Sequence, residues 1–208
     1  MVTEAGRAAK VRTLAAAYRL APEHPFPAAH EDALAVWRAL RAQGIAAEHI
    51  AVGGDSAGGN LSIALANRLR AAGEAQPACV WLASPWTDLT MSGETMTTKD
   101  AVDPLIHRAY LEGLADAYAP APLDRRDPRI SPLFSDLSGF PPTLLQVGSA
   151  ETLIDDAVRF ARAAGIANVP VTLEIWPEMI HAWPMWNAHL ADGRKALAQM
   201  GAWMRRWM

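Results

Sequence analysis

Five short apolar runs constrain this chain more than any other feature: VRTLAAAYRL (11–20), HIAVGG (49–54), ACVWLAS (78–84), TLLQVG (143–148) and NVPVTLEIW (168–176). The first four are continuous rather than alternating, the pattern of parallel strands covered by helices on both faces. The fifth alternates at Val169, Val171, Leu173 and Ile175, as a strand with one wetter face does, and is expected at a sheet edge. Helical stripes lie between the runs. Leu34, Trp37 and Leu40 recur ahead of Gly44, Leu61, Leu65 and Leu69 share a face, and Leu197, Met200, Met204 and Trp207 mark a last helix over 189–207. Strand and helix taking turns imply an α/β fold, a mostly parallel sheet with helices on both faces, which binds ligands beyond the carboxyl ends of its strands.

One segment breaks the rhythm. Residues 87–142 are far longer than an ordinary crossover. Within them DPLIHRAYLEGLADAYAP reads as a helix with Asp103 as N-cap, Pro104 at its first position, and Ile106, Tyr110 and Leu114 on one face. The chain of 208 residues is thus expected to form a single domain, 1–208, with a helical cap or lid inserted at about 87–142.

The stretch AVGGDSAGGNL (51–61) follows one apolar run and opens a helix. Gly54-Asp55-Ser56-Ala57-Gly58 matches G-x-S-x-G in the context that gives the motif mechanical meaning, a sharp strand-to-helix turn that lifts a serine hydroxyl above the sheet. Neither the Lys-Ser/Thr of a phosphate loop nor a dinucleotide-type third glycine is present. A serine needs a base and an orienting acid. In this kind of fold they follow in the order serine, acid, histidine, which sets aside His24, His30, His49 and His107 and leaves His181, in the loop PEMIHAWP, and His189. His181 lies just beyond the last strand and is the preferred base. For the acid, Glu151, Asp155 and Asp156 compete in VGSAETLIDDAVRF; Glu151 stands nearest the strand end, while an acid one turn further on also suits a helix start. Asp55 and Trp86 are candidate pocket residues. The Ala57 backbone N–H is the candidate oxyanion donor.

YRLAPEHPFPAAHEDA, GGDSAGGNL, SPWTDL, SPLFSDLSGFPPTLLQVGSAETLIDD and PEMIHAW together resemble the bacterial hormone-sensitive-lipase branch of the α/β-hydrolases, carboxylesterases acting on short acyl esters. The resemblance runs from about residue 11 to the C-terminus. It implies a triad of Ser56, His181 and an acid at Glu151, where the family more often has Asp, with Asp155 as a supporting acid. It also implies that the insertion is the downstream part of the family's cap. Members carry an N-terminal cap helix, early strands and a His-Gly-Gly-Gly loop of oxyanion donors upstream of the YRLAP segment. This sequence lacks them, so the chain is expected to be a fragment or a truncated form with impaired turnover.

The remaining expectations are plain. A net charge of −3 without a basic cluster excludes a nucleic-acid footprint. Cys79, the single cysteine, is expected in the core of a protein from a reducing compartment. No apolar leader or membrane span is legible, so a cytoplasmic protein is expected. No metal or cofactor is required. The expected partners are a small-molecule ester and a second copy of the chain, joined through strand 169–176. The alternative function is a non-catalytic, small-ligand-binding protein of the same fold.

Overall fold

The computed structural model describes all 208 residues. Four strands, β1 (Ala51–Asp55), β2 (Cys79–Ala83), β3 (Thr143–Gly148) and β4 (Val171–Trp176), form one parallel sheet in the order β1-β2-β3-β4. Successive neighbours in sequence are successive neighbours in space, each reached by a crossover carrying helix. Along these crossovers lie α3 (Ala57–Ala71) and α6 (Ile154–Ile166); α1 (Val2–Ala9) and α2 (Ala28–Ala42) precede the sheet, and α7 (Ala191–Met204) follows it.

Alternation along the buried strands sends successive side chains to opposite layers. Val80 and Leu82 of β2 and Leu145 and Val147 of β3 pack with Ile63 and Ala66 of α3 and with Ala157, Phe160 and Ala164 of α6. Cys79, Trp81, Ala83 and Leu144 pack on the other face, with Ala9 of α1 and Leu197, Met200, Trp203 and Met204 of α7. Burial pushes the Cys79 thiol pKa up to about 12, the condition of a core residue rather than a reactive one. Trp37 and Leu34 of α2 meet Leu65 and Leu69 on the outer side of α3. Helices therefore cover both faces of the sheet, and no helix is long and apolar enough to cross a membrane.

β4 lies at an edge, as its alternation suggests, with Ile175 47% exposed. Residues 11–20 differ from expectation. They form no strand, because their backbone finds no ladder partner in this chain, and all but the half-buried Tyr18 are exposed. The stripe of the last helix also stops short of Trp207, which lies past the end of α7 and is 39% exposed.

The segment between β2 and β3 contains two helices, α4 (Thr95–Thr98) and α5 (Arg108–Tyr118). Asp103 is not the N-cap of α5; that position is His107. Its Oδ1 instead accepts the Leu105 and Ile106 N–H groups in a separate turn, since its other oxygen is already engaged by Thr152 N–H at 2.9 Å. The helix consequently starts later, and its inward face is Leu111 and Ala115, leaving Tyr110 and Leu114 exposed. Leu111, Ala115, Met91, Met96 and Ile130 close over Trp86 and Leu153, two residues that leave the carboxyl ends of β2 and β3.

Candidate active site

Ser56 stands between β1 and α3 with φ 52° and ψ −118°, a region that side-chain-bearing residues rarely enter and that costs about 1–3 kcal/mol. Surrounding bonds over-determine it. Its N–H donates to the Ala83 carbonyl at 3.0 Å, and its own carbonyl accepts the N–H groups of Gly59 at 3.0 Å and Trp86 at 3.1 Å. Asn60, buried, fastens the same corner by donating from Nδ2 to the Trp86 and Ile130 carbonyls. Close approach explains two of the glycines: a Cβ on Gly54 would stand 2.5 Å from the Gly58 carbonyl oxygen, and one on Gly59 would stand 2.9 Å from Pro85 Cβ. Gly58, the last letter of the motif, has open space where its side chain would be, so the second steric requirement falls one residue later than the motif suggests.

Ala57 is the first residue of α3, so its N–H has no partner within the helix. It lies at the positive end of a 15-residue helix dipole, next to the serine.

His181 lies in the loop after β4 and Glu151 in the loop after β3. The structure brings them together: His181 Nδ1 is 2.9 Å from Glu151 Oε2. Glu151 is wholly buried and His181 nearly so. The other carboxylate oxygen, Oε1, accepts the Gly148 N–H at 2.6 Å and the Ser84 hydroxyl at 2.7 Å. A carboxyl group with three such partners is held in one orientation. It accepts a hydrogen bond from Nδ1–H, and this tautomer leaves the Nε2 lone pair of His181 free. The loops carrying Ser56 and His181 are both tied to the exit of β2, the first through the Ala83 carbonyl and the second through Ser84, whose Oγ accepts the Ala182 N–H at 3.0 Å.

The competing acids serve elsewhere. Asp155 Oδ2 accepts the Thr95 N–H at 3.0 Å, and Asp156 Oδ2 accepts those of Thr87 at 2.6 Å and Asp88 at 2.8 Å, so both hold the inserted segment. Burial, with the Asp88 charge adding to it, raises the Asp156 pKa to about 7 despite those donors. Asp88 goes the other way. Burial opposes its ionisation, but donors from Ser92, Thr90 and Arg159 outweigh it and lower its pKa.

His189 is exposed beyond the loop. Asp55 is half-buried and close enough to Tyr18 that its charge, after burial, raises that phenol's pKa. Trp86 is 5% exposed, with Nε1 donating to the Asp88 carbonyl, and belongs to the interior under the insertion. Sequence reasoning missed Ser84. The only signal was its position, one residue past a buried strand in SPWTDL.

Comparison with known proteins identifies the family and the fold. The sequence profile of a family described as having the alpha/beta hydrolase fold matches residues 1–185. An acetyl-hydrolase of Streptomyces hygroscopicus is 45% identical over 200 residues, covering 96% of this chain and 67% of that protein. An esterase of Acinetobacter venetianus is 38% identical, covering 96% of this chain and 66% of its own length. The crystal structure of an esterase from the bacterial hormone-sensitive lipase family superposes with a TM-score of 0.96 at 42% identity, over 98% of this chain and 68% of that one. The chain thus spans about two thirds of the length of the proteins it resembles. With the match over residues 1–185 and these relatives, the chain belongs to the α/β hydrolase family, in the branch of the bacterial hormone-sensitive-lipase-like esterases.

Proposed function

We propose that this chain is a serine carboxylesterase acting on short-chain acyl esters, with Ser56 as nucleophile, His181 as general base and acid, and Glu151 as the orienting acid. The observation that carries this reading is the buried 2.9 Å pair of His181 and Glu151 at the same sheet edge as a serine held at φ 52°. In the first step His181 Nε2 takes the Ser56 hydroxyl proton while Oγ bonds to the ester carbonyl carbon. The carbonyl oxygen becomes an oxyanion that the Ala57 N–H stabilises at the start of α3. Collapse expels the alcohol, which His181 protonates, and leaves an acyl-Ser56. Water, deprotonated by His181, then attacks the acyl carbon and releases the acid. Glu151 holds the tautomer and offsets the charge of the imidazolium.

Short acyl groups suit the name of the 45%-identical acetyl-hydrolase. The inserted segment 87–142 acts as the cap over this edge. The His-Gly-Gly-Gly donors of the family are not among residues 1–208, and one such donor is worth about 10²–10³ in turnover. The test is hydrolysis of p-nitrophenyl butyrate by the wild type and by Ser56→Ala: the variant should fall to the background rate, and equal rates would reject serine catalysis here.

Self-association through β4 is part of the same proposal, supported by its edge position and by exposed Ile175 and Ile166. A monomer independent of concentration in sedimentation would remove it. A cytoplasmic location is in keeping with the lone buried Cys79.

A further inference from the structure

The residue at the exit of β2 is a serine where the backbone asks for glycine. Ser84 has φ 46°, is wholly buried, and donates its backbone N–H to the Gln146 carbonyl at 2.8 Å. Glycine would adopt that conformation without strain, so a serine there points to work for the hydroxyl. Its two bonds define that work. The Ala182 N–H can only donate, so Ser84 Oγ is its acceptor at 3.0 Å, and the single hydroxyl proton is left for Glu151 Oε1 at 2.7 Å. One oxygen atom thus joins the acid to the residue that follows the base, across three strand-end loops.

We infer that Ser84 is a positioning residue for the hydrolytic reaction, a fourth member of the Ser56, His181 and Glu151 set, in a role that rests on the esterase reading above. Without its hydroxyl the buried Ala182 N–H would lose its acceptor, and Glu151 would keep only the Gly148 N–H against Oε1. Both changes loosen the Glu151–His181 bond, which must hold during proton transfer but takes no part in binding the ester.

The decisive variant is Ser84→Gly, which removes the hydroxyl and relieves the backbone together; Ser84→Ala removes the hydroxyl alone. Two readouts are paired: kcat and KM for p-nitrophenyl butyrate, and the far-downfield proton NMR resonance of the His181 Nδ1–H bonded to Glu151. Both variants should lose about 10–100-fold in kcat with KM within about threefold of wild type, and the downfield resonance should broaden or vanish. If Ser84→Gly keeps the wild-type kcat and resonance, the serine serves only the turn and the proposal fails. It also fails if kcat drops while the resonance persists unchanged. A wild type without turnover would sink the esterase reading instead, and the resonance, which needs no substrate, would then decide the role of Ser84 alone.

Discussion

Gly148→Ala tests how tightly the His181 loop is built against the sheet without touching any reacting group. Gly148 ends β3, and a Cβ there would stand 2.5 Å from the Met179 carbonyl carbon, nearer still to the Met179 oxygen, and 3.0 Å from the Ile180 oxygen. Ordinary contact begins at about 3.4 Å, so the Met179 carbonyl, and with it the 179–180 backbone, must retreat by more than 1 Å. The sheet cannot give instead, because Gly148 is registered against Trp176 of β4 and its N–H is bonded to Glu151 at 2.6 Å. The displaced residues immediately precede His181, and the Ala150 N–H to Met179 carbonyl bond lies in the same contact. A misplacement of about 1 Å costs on the order of 10²-fold in rate, or about 2.7 kcal/mol of barrier. Overpacking of this kind also costs about 1–3 kcal/mol of stability, about 3–10 °C in Tm for a chain of this size. The assay is kcat for p-nitrophenyl butyrate well below the variant's Tm, beside Gly113→Ala, whose new methyl would meet open space on α5 and should leave kcat unchanged. A folded Gly148→Ala within about threefold of the wild-type kcat would refute the claim that loop placement, rather than residue identity alone, sets the rate.

Two further outcomes follow from the acids. Glu151→Gln should lower kcat by about 10⁴-fold, through loss of the correct His181 tautomer, whereas Asp155→Asn, whose carboxylate accepts the Thr95 N–H, should stay within about tenfold; steady-state kinetics of the pair decide which acid serves the histidine. Asp156 keeps its proton in the fold up to about pH 7, while the unfolded chain releases it near the ordinary 3.8, so wild-type stability should fall as pH rises between those values and level off above. Asp156→Asn cannot ionise. Its Tm relative to wild type should therefore climb across that window in circular-dichroism melts, and a difference constant from pH 4 to pH 8 would show that Asp156 is ionised in the native state.

The sheet and its layers were legible because burial on both faces leaves continuous apolar runs, and helix stripes such as Leu34 and Trp37 or Leu65 and Leu69 record their contacts in their spacing. The VRTLAAAYRL run read as a strand for the same local reasons, yet a strand is a property of a pair of segments, and its own residues do not reveal the lack of a partner in this chain. The start of α5 went unread for a similar cause: Asp103 looks like an N-cap, but Thr152, 49 residues away, engages it. In the site, order along the chain and loop position were enough to single out Ser56, Glu151 and His181 as candidates. Ser84 could not be found that way. Its importance lies in two bonds to distant loops, one spanning 67 positions and the other 98.

The carboxylates that clasp the inserted segment carry a consequence for how such a protein can change. Thr152 is bonded to Asp103, the Asp155 carboxylate to the Thr95 N–H, and Asp156 to the N–H groups of Thr87 and Asp88, so the turn that begins at Glu151 is stitched to the insertion on three sides. A cap that only shaped a pocket could be exchanged like a mould, altering which ester fits and nothing else. Here the insertion and the turn that carries Glu151 share a hinge pin. On the esterase reading proposed above, grafting a foreign insertion at this site would strain the turn that carries Glu151, and a change of substrate range would arrive together with a change in kcat.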